Sequence, residues 1–285
     1  TISINNSDRS LLWWKINRKS KKINMKSKFS IVTVKPNLVA HTTAFTATDL
    51  LFDWTPIEIP RGGCSIETIQ MHYAGTDGVA QTPKDIELIF AKSVNGVAPP
   101  TLGTSNNKLS DGDTLTKALA QAARPHIIGY KHLDVGTMVD TGVDLVAYNL
   151  LGSFSAKPNV KMNIMLEGES AVYASTKGPG YQTVWMAGLA IEGGEDFNTG
   201  VILDGAQGAA VGTQTQLTVT AGGVDPGLVF AKGDEVIAAD GALVGTVVSI
   251  ESNTLFTVDQ VQAALADTDE LCNRQPITFI FGLEY

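Results

Sequence analysis

The residues whose type and spacing come nearest to chemistry are acids. Glu167 and Glu169 stand two apart, so on a strand both carboxylates would point to one face. Glu192, Glu195 and Asp196 crowd a Gly-rich stretch. Paired carboxyls of this kind can hold a calcium ion or share the acid and base roles of glycoside hydrolysis. Either role also needs a ligand or a cleft beside the pair, and in an acidic chain such groups are first of all solvated. Asp111-Gly112-Asp113 marks a turn and lacks the rest of a calcium loop. The four histidines are His41, His72, His126 and His132. His126 and His132 lie six apart, which suits neither one helical face nor a zinc spacing. Asn5-Asn6-Ser7 has the form of a glycosylation acceptor, and the residues around it lack the apolar core of a secretory signal. Phosphate-loop, dinucleotide, nucleophile-elbow and zinc-protease patterns do not occur. The expectation is a protein that is not an enzyme, with no catalytic, cofactor-binding or metal-binding residue assigned and no cofactor. Cys64 and Cys272 cannot make a disulfide framework. They are expected as two buried thiols, with a single bridge left open.

The elements that must position these groups are strands. Phe52 and Trp54 are expected on one face of a strand over 52–59. Ile69, Met71 and Tyr73 alternate with polar residues, as do Ile86, Leu88 and Phe90. Val160, Met162, Ile164 and Leu166 form a third such set. Residues 183–191 are almost continuously apolar, as in a central strand. Ile277, Phe279, Phe281, Leu283 and Tyr285 give the cleanest alternation of all. Helices are expected only over Thr114–Arg124 and Gln260–Ala266. From about residue 198 the composition shifts to Gly, Val, Thr and Ala. There the run Phe230–Val258 reads as strand, Asp240-Gly241 turn, strand, Ser252-Asn253 turn, strand. The fold class expected is all-β. The main domain is a jelly-roll-like β-sandwich over 29–197 and 274–285, and a small β-barrel is inserted over 198–273.

Charge divides the chain differently. Residues 1–28 hold eight basic side chains and one acid, a net charge of +7, which leaves −15 on the rest. An acidic body argues against nucleic-acid binding by the folded part. No apolar run is long enough for a membrane-spanning helix. Met25 is the first methionine, and residues 1–24 differ in composition from the body. Two expectations stand open. Either the mature protein begins at Met25, or 1–28 is a basic arm whose Trp13 and Trp14 anchor to a neighbour.

Two stretches carry a resemblance. One is Leu51-Phe-Asp-Trp-Thr-Pro-Ile-Glu-Ile-Pro-Arg-Gly-Gly63, with His72-Tyr-Ala-Gly-Thr-Asp-Gly78 and Ile86 to Gly103 after it. The other is Phe230-Ala-Lys-Gly-Asp-Glu-Val-Ile to Ile250. Over residues 40–285 the chain resembles uncharacterised virion structural proteins of tailed phages of marine bacteria and cyanobacteria. The resemblance implies a particle component assembled in the host cytoplasm. The expected role is a capsid decoration protein, a homotrimer or other symmetric oligomer, with the major capsid protein or other virion proteins as partners. The alternatives are a tail, neck or baseplate component or the major shell protein. From another class comes a carbohydrate-binding or hydrolytic module that uses Glu167 and Glu169.

Overall fold

The computed structural model describes residues 28–38, 44–74, 85–102, 123–134, 138–140, 145–151, 164–168, 177–193, 197, 200–205 and 215–285, with backbone alone for 73–74, 138–140 and 145–151. The expected helix over Thr114–Arg124 lies outside them, save Ala123 and Arg124, which cap and open a single 3-10 turn, Arg124–His126. The regular secondary structure of the described residues is nearly all strand, in three antiparallel sheets.

The first sheet contains β1 (Phe29–Val34), β3 (Cys64–Ala74), β6 (Met138–Asp140), β7 (Leu145–Leu151), β8 (Ile164–Leu166) and β16 (Ile277–Glu284). Its order is β1-β16-β3-β7-β6, with β8 also on β3. The C-terminal strand thus returns to the interior of the sheet. Ile277, Phe279, Phe281 and Leu283 are fully buried, while Thr278, Ile280, Gly282 and Glu284 point outwards. Across from them, Ile66, Ile69 and Met71 are equally buried, although 66 to 69 breaks the two-residue period. A register shift opposite Gly282/Leu283 absorbs one residue and returns β3 to phase.

The second sheet has the order β2 (Leu50–Pro60), β9 (Tyr181–Ala190), β4 (Ile86–Lys92) and β5 (Ile127–Leu133). The continuously apolar β9 is central, as expected. Ile86, Leu88 and Phe90 of β4 share one buried face. Phe52 packs on Phe279 at 5.7 Å between centroids, and Phe90 on Phe281 at 6.1 Å, so the two sheets share one core. Gly188 makes room for this. A Cβ there would lie 2.2 Å from the Phe52 ring. Phe52 and Trp54, expected on one face, lie on opposite faces. Between Phe52 and Thr55 the strand carries one more residue than β9, and the bulge turns Trp54 outwards. Trp54 there joins Leu50, Ala91, Leu102 and Ala187 in a second, outer cluster, and its Nε1 donates to Pro100 O at 2.9 Å.

The third sheet is drawn from 201–273: β10 (Val201–Ile202), β15 (Glu270–Asn273), β12 (Glu235–Ala238), β13 (Leu243–Ser252), β14 (Leu255–Val258) and β11 (Thr215–Thr218), in that order. It encloses its own core of Val201, Leu217, Val236, Phe256, Leu271 and their neighbours. The sheet is not a closed barrel. Between its two ends stands a single isolated bridge, Leu203 to Val219. The Asp240-Gly241 and Ser252-Asn253 turns join β12, β13 and β14 as the sequence suggests. The helix expected over Gln260–Ala266 is absent. Val261 and Leu265 are buried in this core, and Gln262 N donates to Val244 O, so the segment lies along β13 instead of coiling. A single helical turn does form at α1 (Pro226–Val229), where the Asp225 carboxylate caps Gly227 N at 2.7 Å and proline takes the first helical position.

Candidate functional site

The acids and histidines singled out above come together only in part. Glu167 follows β8 and lines an open cleft of about 600 Å³ with Lys92, Ser93, Asn95 and His126. β4 ends at Lys92, and a tight turn follows in which Asn95 and Gly96 both take positive φ. The 3-10 turn supplies His126 from the other side. Its Nδ1 is buried without a hydrogen-bond partner among the described residues. Ser93 is committed to the fold, since it accepts from Trp185 Nε1 at 3.0 Å and donates to Thr183 O at 3.3 Å. The cleft can bind a polar solute, and its described wall holds one carboxylate, not two. Glu169, Glu195, Asp196, Asp111 and Asp113 lie outside the described residues, as do His41, Trp13 and Trp14. Glu192 stands just beyond the end of β9.

His126 and His132 lie at opposite ends of β5, about 20 Å apart at ~3.3 Å per residue. His132 faces two carboxylates, Asp85 at 3.1 Å from Nε2 and Glu87 at 3.6 Å from Nδ1. No local sequence pattern marks this trio, because Asp85 and Glu87 come from β4 and the residue before it. Among the described residues, no group of three or more His, Cys, Asp or Glu side chains is placed to hold a metal ion. Cys64 is buried in the core shared by the first two sheets and Cys272 is buried on β15, and no disulfide joins them, so the bridge left open above does not form. Burial pushes the Cys64 thiol up to about 12.

A second depression, about 850 Å³, runs between β1 and β2, which are edge strands of the two sheets. The third sheet closes one end of it through Ile237 and Gly241. Here the two units are fastened. Lys35, one residue past β1, donates to the buried Asp234 at 2.6 Å. Asp234 also accepts from Ala231 N and from Asn273 Nδ2, each at 2.9 Å. Asn273 gives its other amide hydrogen to Val229 O at 3.0 Å and accepts from Gln275 N at 2.8 Å. Beside this network Arg274 pairs with Glu235 at 2.7 Å.

The outer face of β1 is apolar. Phe29 and Ile31 are 69% and 76% exposed. An edge strand showing aromatic and branched side chains to water is an adhesive surface. The alternation in Phe-Ser-Ile-Val-Thr-Val was the available signal, but nothing local says which face meets solvent. Among the described residues no helix is long and apolar enough to cross a membrane. Comparison of the chain with protein-family models, with curated proteins and with solved structures returns no match.

Proposed function

We propose that this chain is a structural subunit of a tailed-phage particle, acting by protein–protein contact as a capsid decoration protein. The observation that carries the reading is the exposed apolar edge at Phe29 and Ile31, which fits a surface completed by a neighbouring subunit. The sequence resemblance to virion structural proteins supports the same role. In this reading the first two sheets make a jelly-roll-like sandwich that sits on the shell. The third makes a small barrel-like unit that projects from it, with the Lys35–Asp234 contact between the two. The subunit works as a symmetric oligomer, a trimer or another closed form, with the major capsid protein as partner. A tail, neck or baseplate position would use the same surfaces. Quantitative mass spectrometry of purified particles tests the role. The expected result is the chain in many copies, in fixed ratio to the shell protein. Loss of the chain on purification would refute it.

The cleft of Lys92, Asn95, His126 and Glu167 favours a second reading, a carbohydrate-binding module. It predicts retention on a glycan array that is lost in Glu167→Gln.

A further inference from the structure

We infer that two copies of this chain join edge to edge through β1, with Ile31 on a two-fold axis. The inference rests on the sheet edge and stands apart from the particle assignment.

The ladder fixes which backbone groups are available. Lys28 and Tyr285 exchange both hydrogen bonds, N to O at 2.9 Å each way. The register then continues without a shift to Val34 opposite Phe279. In an antiparallel pair, bonded and non-bonded positions alternate. Ser30, Val32 and Val34 therefore spend their N–H and C=O groups on β16, and Phe29, Ile31 and Thr33 direct theirs outwards. Among the described residues nothing pairs with that edge.

A second β1 meets it with matching parity. Placing Ile31 opposite its own symmetry mate sets Phe29 opposite Thr33 on both sides. Every outward group on these three residues then finds a partner, giving six hydrogen bonds. The same register keeps outer face beside outer face, because positions that differ by two share a face. Phe29 and Ile31 of both copies then merge into one apolar patch. A register displaced by one residue would set outer against inner face and lose both gains.

Charge selects the second copy as the occupant. Residues 198–273 hold ten acids and a single base, Lys232, for a net charge of −9. This unit lies at the Lys35 end of β1, where Asp234 takes the Lys35 ammonium. Residues 1–28, of net charge +7, precede Phe29 in sequence, at the other end of the same strand. Antiparallel pairing reverses one strand on the other. Lys28 of each copy therefore lies at the end of the paired strands that meets the partner's acidic unit, and away from its own.

The test uses the full chain in solution. Light scattering on the wild type should give a mass near twice 30.2 kDa. Ile31→Pro removes an N–H that the fold does not use. It should leave the β circular dichroism intact while weakening the dimer about a hundredfold or more, as expected for two lost hydrogen bonds and a ring in the interface. Ile31→Cys keeps the fold free of proline. At the axis the two Cα atoms are about 5.5 Å apart, inside the ~4.4–6.8 Å window of a disulfide, so mild oxidation should yield a covalent dimer. Tyr130→Cys, equally exposed but on β5, should not cross-link. Raising salt from ~0.05 to ~0.5 M should weaken the dimer at least about tenfold by screening the opposite net charges of residues 1–28 and 198–273. A monomer at about 50 µM overturns the inference. So does an oligomer that Ile31→Pro leaves intact, an Ile31→Cys that fails to cross-link, or a salt-insensitive dimer.

Discussion

Replacing Asp234 by alanine removes the centre of the joint between the third sheet and the other two. The side chain is 6% exposed and accepts three hydrogen bonds, from the Lys35 ammonium, Ala231 N and Asn273 Nδ2. Lys35 is 40% exposed on its side chain and turns to water when its partner goes, so the ion pair itself contributes little. The Ala231 amide and one Asn273 amide hydrogen lose their acceptor, at about 1–3 kcal/mol each where water cannot reach. Against this, the variant no longer buries a carboxylate. The net cost is about 3 kcal/mol. For a chain of this size that lowers Tm by roughly 6–12 °C. Asp234→Asn keeps an acceptor and should cost about half as much. Lys35→Met should cost under about 1 kcal/mol. Urea unfolding of the three variants, with the Lys35→Met/Asp234→Ala double variant to complete the cycle, reads each quantity. A Tm change under ~2 °C in Asp234→Ala, or a Lys35→Met cost equal to it, would refute the reasoning.

Other perturbations separate the cores and loops. Gly188→Ala drives a methyl into the Phe52 ring and should destabilise by about 2–3 kcal/mol or more, with partial recovery when Phe52→Leu is added; chemical denaturation measures both. Cys64 should resist alkylation at pH 8 in the folded protein and react on unfolding. Its thiol ionises more easily unfolded, from an ordinary value of 9.0 against about 12 folded, so this contribution to stability is complete below pH 9 and declines towards pH 12. Asp259 accepts from Thr246 N at 2.8 Å and Gln260 N at 2.7 Å, the first of these being the main cause holding its carboxyl below the usual range. Its contribution is therefore full above about pH 4 and lost as pH falls through the lowered folded value. Asp259→Asn, which keeps an acceptor, should flatten that acid limb of the stability curve.

Much of the fold was legible in the chain because it is written in alternation. Ile277 to Leu283 announced a strand with one buried face, and the Asp240-Gly241 and Ser252-Asn253 turns announced the meander. The two departures from expectation have separate causes. A strict two-residue period cannot foresee a bulge, and one extra residue in β2 separated Phe52 from Trp54. Gln260–Ala266 has helical spacing, yet Val261 and Leu265 gain more by burial in the third core, with Gln262 N bonded to β13. The candidate sites were less legible, because they are assembled from distant parts of the chain. Glu167 and His126 were each visible, but their common cleft depends on how β8 and the 3-10 turn meet. The His132 trio needed Asp85 and Glu87 from the neighbouring strand, and the Lys35–Asp234 contact spans 199 residues.

A reconstruction of the purified particle by electron cryo-microscopy, with this chain located in the density, is the most direct test of the structural role. The account predicts density for the three sheets on the outer capsid surface, with the β1 edge covered by a neighbouring subunit. Density in the tail or neck would contradict the decoration role, and absence of the chain from the particle would contradict the structural role altogether.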